Sequence, residues 1–146
     1  MWFRCQQWPL AQLSRKAFRL WPKRAQVRPG DAACYGAHAE AFFAEFYADR
    51  AFLGSGGVHP EAGLTDYYPA EVVVRRTIVA HTAKNYVLAD SSKLGVIAVR
   101  KVCELGQLTA VLTDDVENHA AAEALAAEDI TLMRAAVAER RLPAAG

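Results

Sequence analysis

The residues with the greatest chemical potential stand together at Asp90-Ser91-Ser92-Lys93, a lysine set among two hydroxyls, a carboxylate and the amides of a turn. An ammonium beside serine hydroxyls and free backbone N–H groups suits a phosphate or a carboxylate. Such a turn also serves as a plain connection between a strand and a helix. A second candidate is Gly54-Ser55-Gly56-Gly57, whose glycines allow a tight turn and close approach of a ligand to backbone amides. It matches neither GxGxxG nor a P-loop, so it names no nucleotide cofactor. Asp114-Asp115 is an acidic pair that suits capping or a cation. His38, His59, His81 and His119 fall on different elements and share no ligand spacing, which leaves them surface and helix-face roles. Cys5, Cys34 and Cys103 contain no CxxC pair and read as free thiols of a reducing cytoplasm. No metal or other cofactor is expected.

The elements that must position these residues follow from pattern. Tyr86-Val87-Leu88-Ala89 reads as a strand that ends in Asp90 and the serines, which puts Lys93 in a loop at a strand's carboxyl end, where open α/β sheets bind anions. Upstream, Asp31 caps a predicted helix to about Tyr47, with Phe42, Phe43, Phe46 and Tyr47 on its apolar side as core. Arg50 to Leu53 reads as a short buried strand leading into the glycine loop. A second helix is predicted from Pro69 to Lys84, with proline at its start, Glu71 in the first turn, and Val72, Val74, Ile78 and Val79 packed on the sheet. Adjacent Arg75 and Arg76 point about 100° apart, so at most one faces a given ligand, and both fit a solvated face. A helical piece near Val96 to Val102, a strand Leu108 to Leu112 and an alanine-rich helix Glu117 to Ala127 follow. Ile130 to Met133 reads as a last strand or more helix. Alternating helices and strands predict a layered α/β domain with a mainly parallel sheet.

With 146 residues, 53% of them hydrophobic, the chain has room for one domain, and its net charge of +1 names no partner. That total hides an asymmetry: seven of the 17 basic side chains and none of the 16 acidic ones lie in residues 1–30. The remainder is therefore acidic and unsuited to nucleic acid by itself. Residues 1–30 also hold Trp2, Trp8 and Trp21 with Pro9, Pro22 and Pro29, show no helical or strand period, and read as a segment foreign to the fold that follows. No apolar run reaches the ~18 residues of a membrane span, so no membrane partner is expected. Residues 31–135 form the expected domain and 136–146 a tail.

Several blocks together carry a resemblance. Asp49-Arg50-Ala51-Phe52-Leu53-Gly54, Gly63-Leu64-Thr65-Asp66-Tyr67, Glu71, Val74-Arg75-Arg76, Val87-Leu88-Ala89-Asp90-Ser91-Ser92-Lys93 and Leu112-Thr113-Asp114-Asp115 resemble, in order and spacing, the C-terminal sensor domain of the DeoR family of bacterial transcriptional repressors. The resemblance implies a three-layer Rossmann-like fold, similar to ribose-5-phosphate isomerase and the CoA transferases, that binds a phosphorylated sugar or related metabolite. It implies that Lys93 contacts the phosphate with Ser91 and Ser92 as supporting donors, and that Thr65 and Asp66 recognise sugar hydroxyls. Arg75 takes the family's Lys/Arg position, Gly54 and Gly56 belong to the ligand loop, and Leu94 replaces a usual phenylalanine.

Two departures shape the functional expectation. The related isomerases carry an Asp-Gly-Ala-Asp acidic pair where this chain has Leu53-Gly54-Ser55-Gly56, so the carboxylates that would move protons are missing and catalysis is not expected. The family's helix-turn-helix and the first half of its sensor domain have no counterpart before Asp31, so the expectation is an incomplete sensor domain. It would sense an effector in a regulator of carbohydrate metabolism, make no DNA contact itself, and could associate as a homo-oligomer. The alternatives are a sugar-phosphate isomerase-like enzyme and a non-functional truncated remnant.

Overall fold

The computed structural model describes residues 26–27, 34–115 and 120–135. In chain order the elements are β1 (Gln26–Val27), β2 (Cys34–Tyr35), α1 (Ala37–Ala44), β3 (Ala48–Gly54), β4 (Gly57–His59), β5 (Gly63–Asp66), α2 (Pro69–Ala80), β6 (Thr82–Leu88), β7 (Arg100–Cys103), β8 (Ala110–Thr113), α3 (Ala120–Ala127) and β9 (Thr131–Arg134). Strands β3, β6, β8 and β9 pair in that order, all parallel, which bears out the α/β class with a mainly parallel sheet. Gly54 aligns with Leu88, Leu88 with Leu112 and Leu112 with Met133, so the carboxyl ends of all four strands finish along one edge. Val87 and Val111, partners at the sheet centre, are fully buried. Val72 and Val74 of α2, Phe43 of α1 and Leu125 of α3 join them in one core.

Beside that sheet lies an antiparallel one, β4-β5-β7, which sequence periodicity did not disclose. Its strands have three or four residues, too short for an alternation to register. Gly63 supplies the turn between β4 and β5: its φ is +75°, and a Cβ there would lie 2.2 Å from the Cys103 carbonyl oxygen. The predicted helix near Val96 to Val102 is corrected by the same sheet. Arg100 to Cys103 pairs with β5 instead, and the Ala98 amide is bound by the Thr65 hydroxyl, so these groups are not available to a helical ladder.

Other boundaries shift for local reasons. The first helix begins after Gly36 (φ +88°) rather than at Asp31, which lies outside the described residues, and it ends at Ala44. Its aromatic side divides: Phe43 is buried and Phe42 packs against the core, while Phe46 is partly exposed and Tyr47 is 86% exposed against His81. The second helix stops at Ala80, and Thr82, Ala83 and Lys84 extend β6 instead. His81 Nδ1 and Thr82 Oγ1 bond the Thr77 and Ile78 carbonyls and so close the helix end. Ile130 remains buried, and the residues after it form strand β9. Trp2, Trp8, Trp21, His119 and the tail lie outside the described residues.

Candidate functional site

The strand ends gather the expected site residues into two groups. The first is built around Arg75. Its Nη1 donates to the Gly54 carbonyl and lies 2.5 Å from Asp66 Oδ2, and its Nη2 reaches Glu71 Oε2 at 3.1 Å. One guanidinium thus ties together the end of β3, the end of β5 and the first turn of α2. The fork geometry of arginine makes this possible, since one planar group offers donors in several fixed directions. Asp66 and Glu71 are both buried, Asp66 also accepts the Tyr67 amide at 2.6 Å, and the Arg75 side chain is 21% exposed. Arg76 diverges as adjacency demands and caps the Lys101 carbonyl of β7. Arg75 is thus drawn off the solvated face that residue type suggests, while Arg76 stays exposed there.

Thr65, fully buried, works in the same corner. Its hydroxyl donates to the Gly57 carbonyl at 3.1 Å and accepts from the Ala98 amide at 2.9 Å, while its carbonyl accepts the Gly56 amide at 3.0 Å. The glycine loop is accordingly packed. A Cβ on Gly57 would sit 2.2 Å from the Val96 carbonyl oxygen, and one on Gly56 would press on Tyr67, Asp66 and Ala98. Close backbone approach is needed there, and the approaching backbone is the chain's own. Between them, Ser55 has a buried hydroxyl oxygen with no hydrogen-bond partner among the described residues.

The second group is the loop after β6, where Ser91–Lys93 forms a single 3₁₀ turn. Lys93 Nζ pairs with Asp90 Oδ2 at 3.2 Å, and the Ser92 hydroxyl donates to Asp90 Oδ1. Asp114, at the end of β8, accepts the Ser91 amide at 2.7 Å and the Asp115 amide at 3.1 Å. Asp114 therefore caps the neighbouring loop. Both carboxyls are held below the ordinary value of 3.8: Asp90 by the Ser92 hydroxyl and then by Lys93, Asp114 chiefly by the Ser91 amide. Strand β4 joins the two groups, since Val58 bridges to Leu94 and its carbonyl accepts the Gly95 amide at 2.7 Å. The structure thus brings Gly54, Asp66 and Arg75 into direct contact, sets Thr65 and Gly56 beside them, and places Ser91, Ser92 and Lys93 together one strand away.

Among the described residues no three His, Cys, Asp or Glu side chains group so as to hold a metal ion. His59 Nδ1 instead accepts the Glu61 and Ala62 amides at the end of β4. Among the described residues Cys34 and Cys103 are not joined to each other, and burial pushes the Cys103 thiol up to about 11. No helix among the described residues is long and apolar enough to cross a membrane.

Comparison with known proteins gives this arrangement a lineage. The DeoR C-terminal sensor domain matches residues 12–115. This chain belongs to that family. The match begins ahead of residue 31 and includes Gln26–Val27, which pairs with Cys34–Tyr35. FruR of Bacillus subtilis (strain 168), named an uncharacterized HTH-type transcriptional regulator, is 31% identical over 70% of this chain and 41% of its own length. The lactose phosphotransferase system repressor of Staphylococcus epidermidis is 29% identical over 67% of this chain and 39% of its own. The repressor GlcR of Bacillus subtilis is 26% identical over 68% of this chain and 38% of its own. The chain spans about two fifths of the length of these relatives. FruR and GlcR are named as HTH-type transcriptional proteins and the Staphylococcus epidermidis relative as a repressor.

Within the DeoR sensor frame, residue type alone pointed to Lys93 and the serines. The Gly54–Asp66–Glu71–Arg75 cluster could not be read that way, because two of its three contacts join residues far apart in the chain, one of them through a carbonyl. The i, i+4 spacing of Glu71 and Arg75 was its one local signal.

Proposed function

We propose that this DeoR-type domain is the effector sensor of a cytoplasmic regulator of carbohydrate metabolism and binds a phosphorylated sugar or related metabolite, without turnover. Lys93, Ser91 and Ser92 take the phosphoryl group. Thr65, Asp66 and Arg75 hold the Gly54–Gly56 loop, against which the sugar lies. The observation that carries the reading is Lys93 itself: a side chain 27% exposed at the carboxyl edge of a parallel sheet, whose ionic partner among the described residues is the half-exposed Asp90. An exposed ion pair of this kind is worth about 0–1 kcal/mol. A phosphate carrying a charge of about −1.5 to −2 and several acceptor oxygens can displace Asp90 at little cost. The lactose phosphotransferase system repressor among the relatives fits a carbohydrate signal.

Thermal unfolding of the full chain tests this, using ribose 5-phosphate, glucose 6-phosphate, fructose 1-phosphate and inorganic phosphate. A ligand at 100 times its Kd adds about 2.7 kcal/mol of stability. At least one sugar phosphate should raise the Tm, and Lys93→Ala should abolish the rise. No response to any of them, or an equal response from Lys93→Ala, overturns the proposal.

A further inference from the structure

Ser55 occupies an unusual position. It follows β3 at the carboxyl edge of the sheet, and both flanking peptide groups are fixed: the Gly54 carbonyl by Arg75 and the Gly56 amide by the Thr65 carbonyl. Its backbone is therefore held. The residue is partly exposed, yet its Oγ is turned into the protein, where it has no hydrogen-bond partner among the described residues. Buried hydroxyls are nearly always bonded, because leaving one unmade forfeits its hydration. The partial exposure of the residue leaves room for a rotation about χ1 to bring Oγ from that buried position to the surface of the loop. From there it meets whatever lies against the glycine loop.

Resting on the sensor reading above, we propose that Ser55 is a specificity residue: its hydroxyl hydrogen-bonds the sugar portion of the effector and does not touch the phosphoryl group. The neighbouring hydroxyl of Thr65 is already used in both directions, as donor to Gly57 and acceptor from Ala98, so Ser55 is the hydroxyl of this corner left for a ligand. The bound form exchanges an unmade hydrogen bond for a made one, which favours a polyhydroxylated ligand over a bare anion.

Ser55→Ala separates this inference from the reading it rests on. In the free protein the variant should melt at or above the parent temperature, since it removes a hydroxyl that bonds nothing. A Tm lower by more than about 2 °C means that the hydroxyl is bonded at rest, and overturns the inference whatever the ligand results. In titrations with ribose 5-phosphate, glucose 6-phosphate and fructose 1-phosphate, the sugar phosphate that stabilises the parent should bind Ser55→Ala about tenfold more weakly. Inorganic phosphate should be unaffected. Equal sugar-phosphate affinity in parent and variant refutes the role of Ser55 while leaving the sensor reading intact. A parent that responds to none of the three refutes both.

Discussion

Arg75→Met is the most informative perturbation of the scaffold, because it keeps the alkyl stem and removes only the guanidinium. Three acceptors lose their donor: the Gly54 carbonyl, Asp66 Oδ2 and Glu71 Oε2. The two carboxylate side chains are only 6% and 8% exposed, so neither regains full hydration. Breaking a buried ion pair by removing one member costs about 3–5 kcal/mol. Arg75 is itself 21% exposed, so water can enter where its head stood, and about 2–3 kcal/mol is the better figure. For a chain of this length each kcal/mol lowers Tm by about 3 °C, which predicts a fall of about 6–9 °C. Urea unfolding should show the loss as a lower midpoint at unchanged m. Arg75→Lys should recover part of it, since a point charge serves one acceptor where the fork serves three. Asp66→Asn in the Arg75→Met background should cost less than Asp66→Asn alone, with a coupling of about 1–2 kcal/mol. A stability change below about 0.5 kcal/mol for Arg75→Met would refute the view that this arginine ties β3, β5 and α2 together.

Three further outcomes follow from the geometry. Gly57→Ala should lower stability by about 1–3 kcal/mol in urea unfolding, because its Cβ meets the Val96 carbonyl oxygen, while Gly106→Ala, with nothing within 4 Å, should be near neutral. Thr65→Val should cost about 1–3 kcal/mol by the same assay, since it leaves the buried Ala98 amide without its acceptor. Asp114 has a folded-state pKa below its ordinary 3.8, so its stabilising effect is present above that value and is lost as pH falls through the folded pKa; Asp114→Asn should melt below the parent at pH 7, and the difference should shrink as pH falls below 3.8.

How far the chain could be read in advance depended on element length. The 12-residue α2, with proline at N1 and four valines and isoleucines on its buried side, was legible from its start, though it stops at Ala80 and not at Lys84. So were the apolar runs inside β6 and β8, Tyr86 to Leu88 and Ala110 to Leu112, which are rich in strand formers. The β4-β5-β7 sheet was not, because Gly57–His59 and Gly63–Asp66 are defined by their partners rather than by their own composition. The segment Val96 to Val102 was read as a helix for the same reason: nothing within it announces that Thr65 will hold Ala98 or that Arg100 will pair with Asp66.

The same distinction explains the site. Lys93 and its serines are neighbours in sequence, so their chemistry could be read from residue type. The roles of Arg75, Asp66 and Thr65 depend on who else is present. A carboxylate open to sugar hydroxyls and one held by a guanidinium are the same residue in a sequence, and only the fold decides between them. Here Asp66 has a partner on each oxygen and Thr65 has one for each hydroxyl function, so any ligand that engages them must compete with bonds already made. Among the described residues, a ligand at Lys93 competes with one exposed aspartate and a ligand at Ser55 Oγ with nothing. Affinity should therefore enter through Lys93 and discrimination through Ser55, while the Arg75 cluster holds the end of β3 that leads into Ser55.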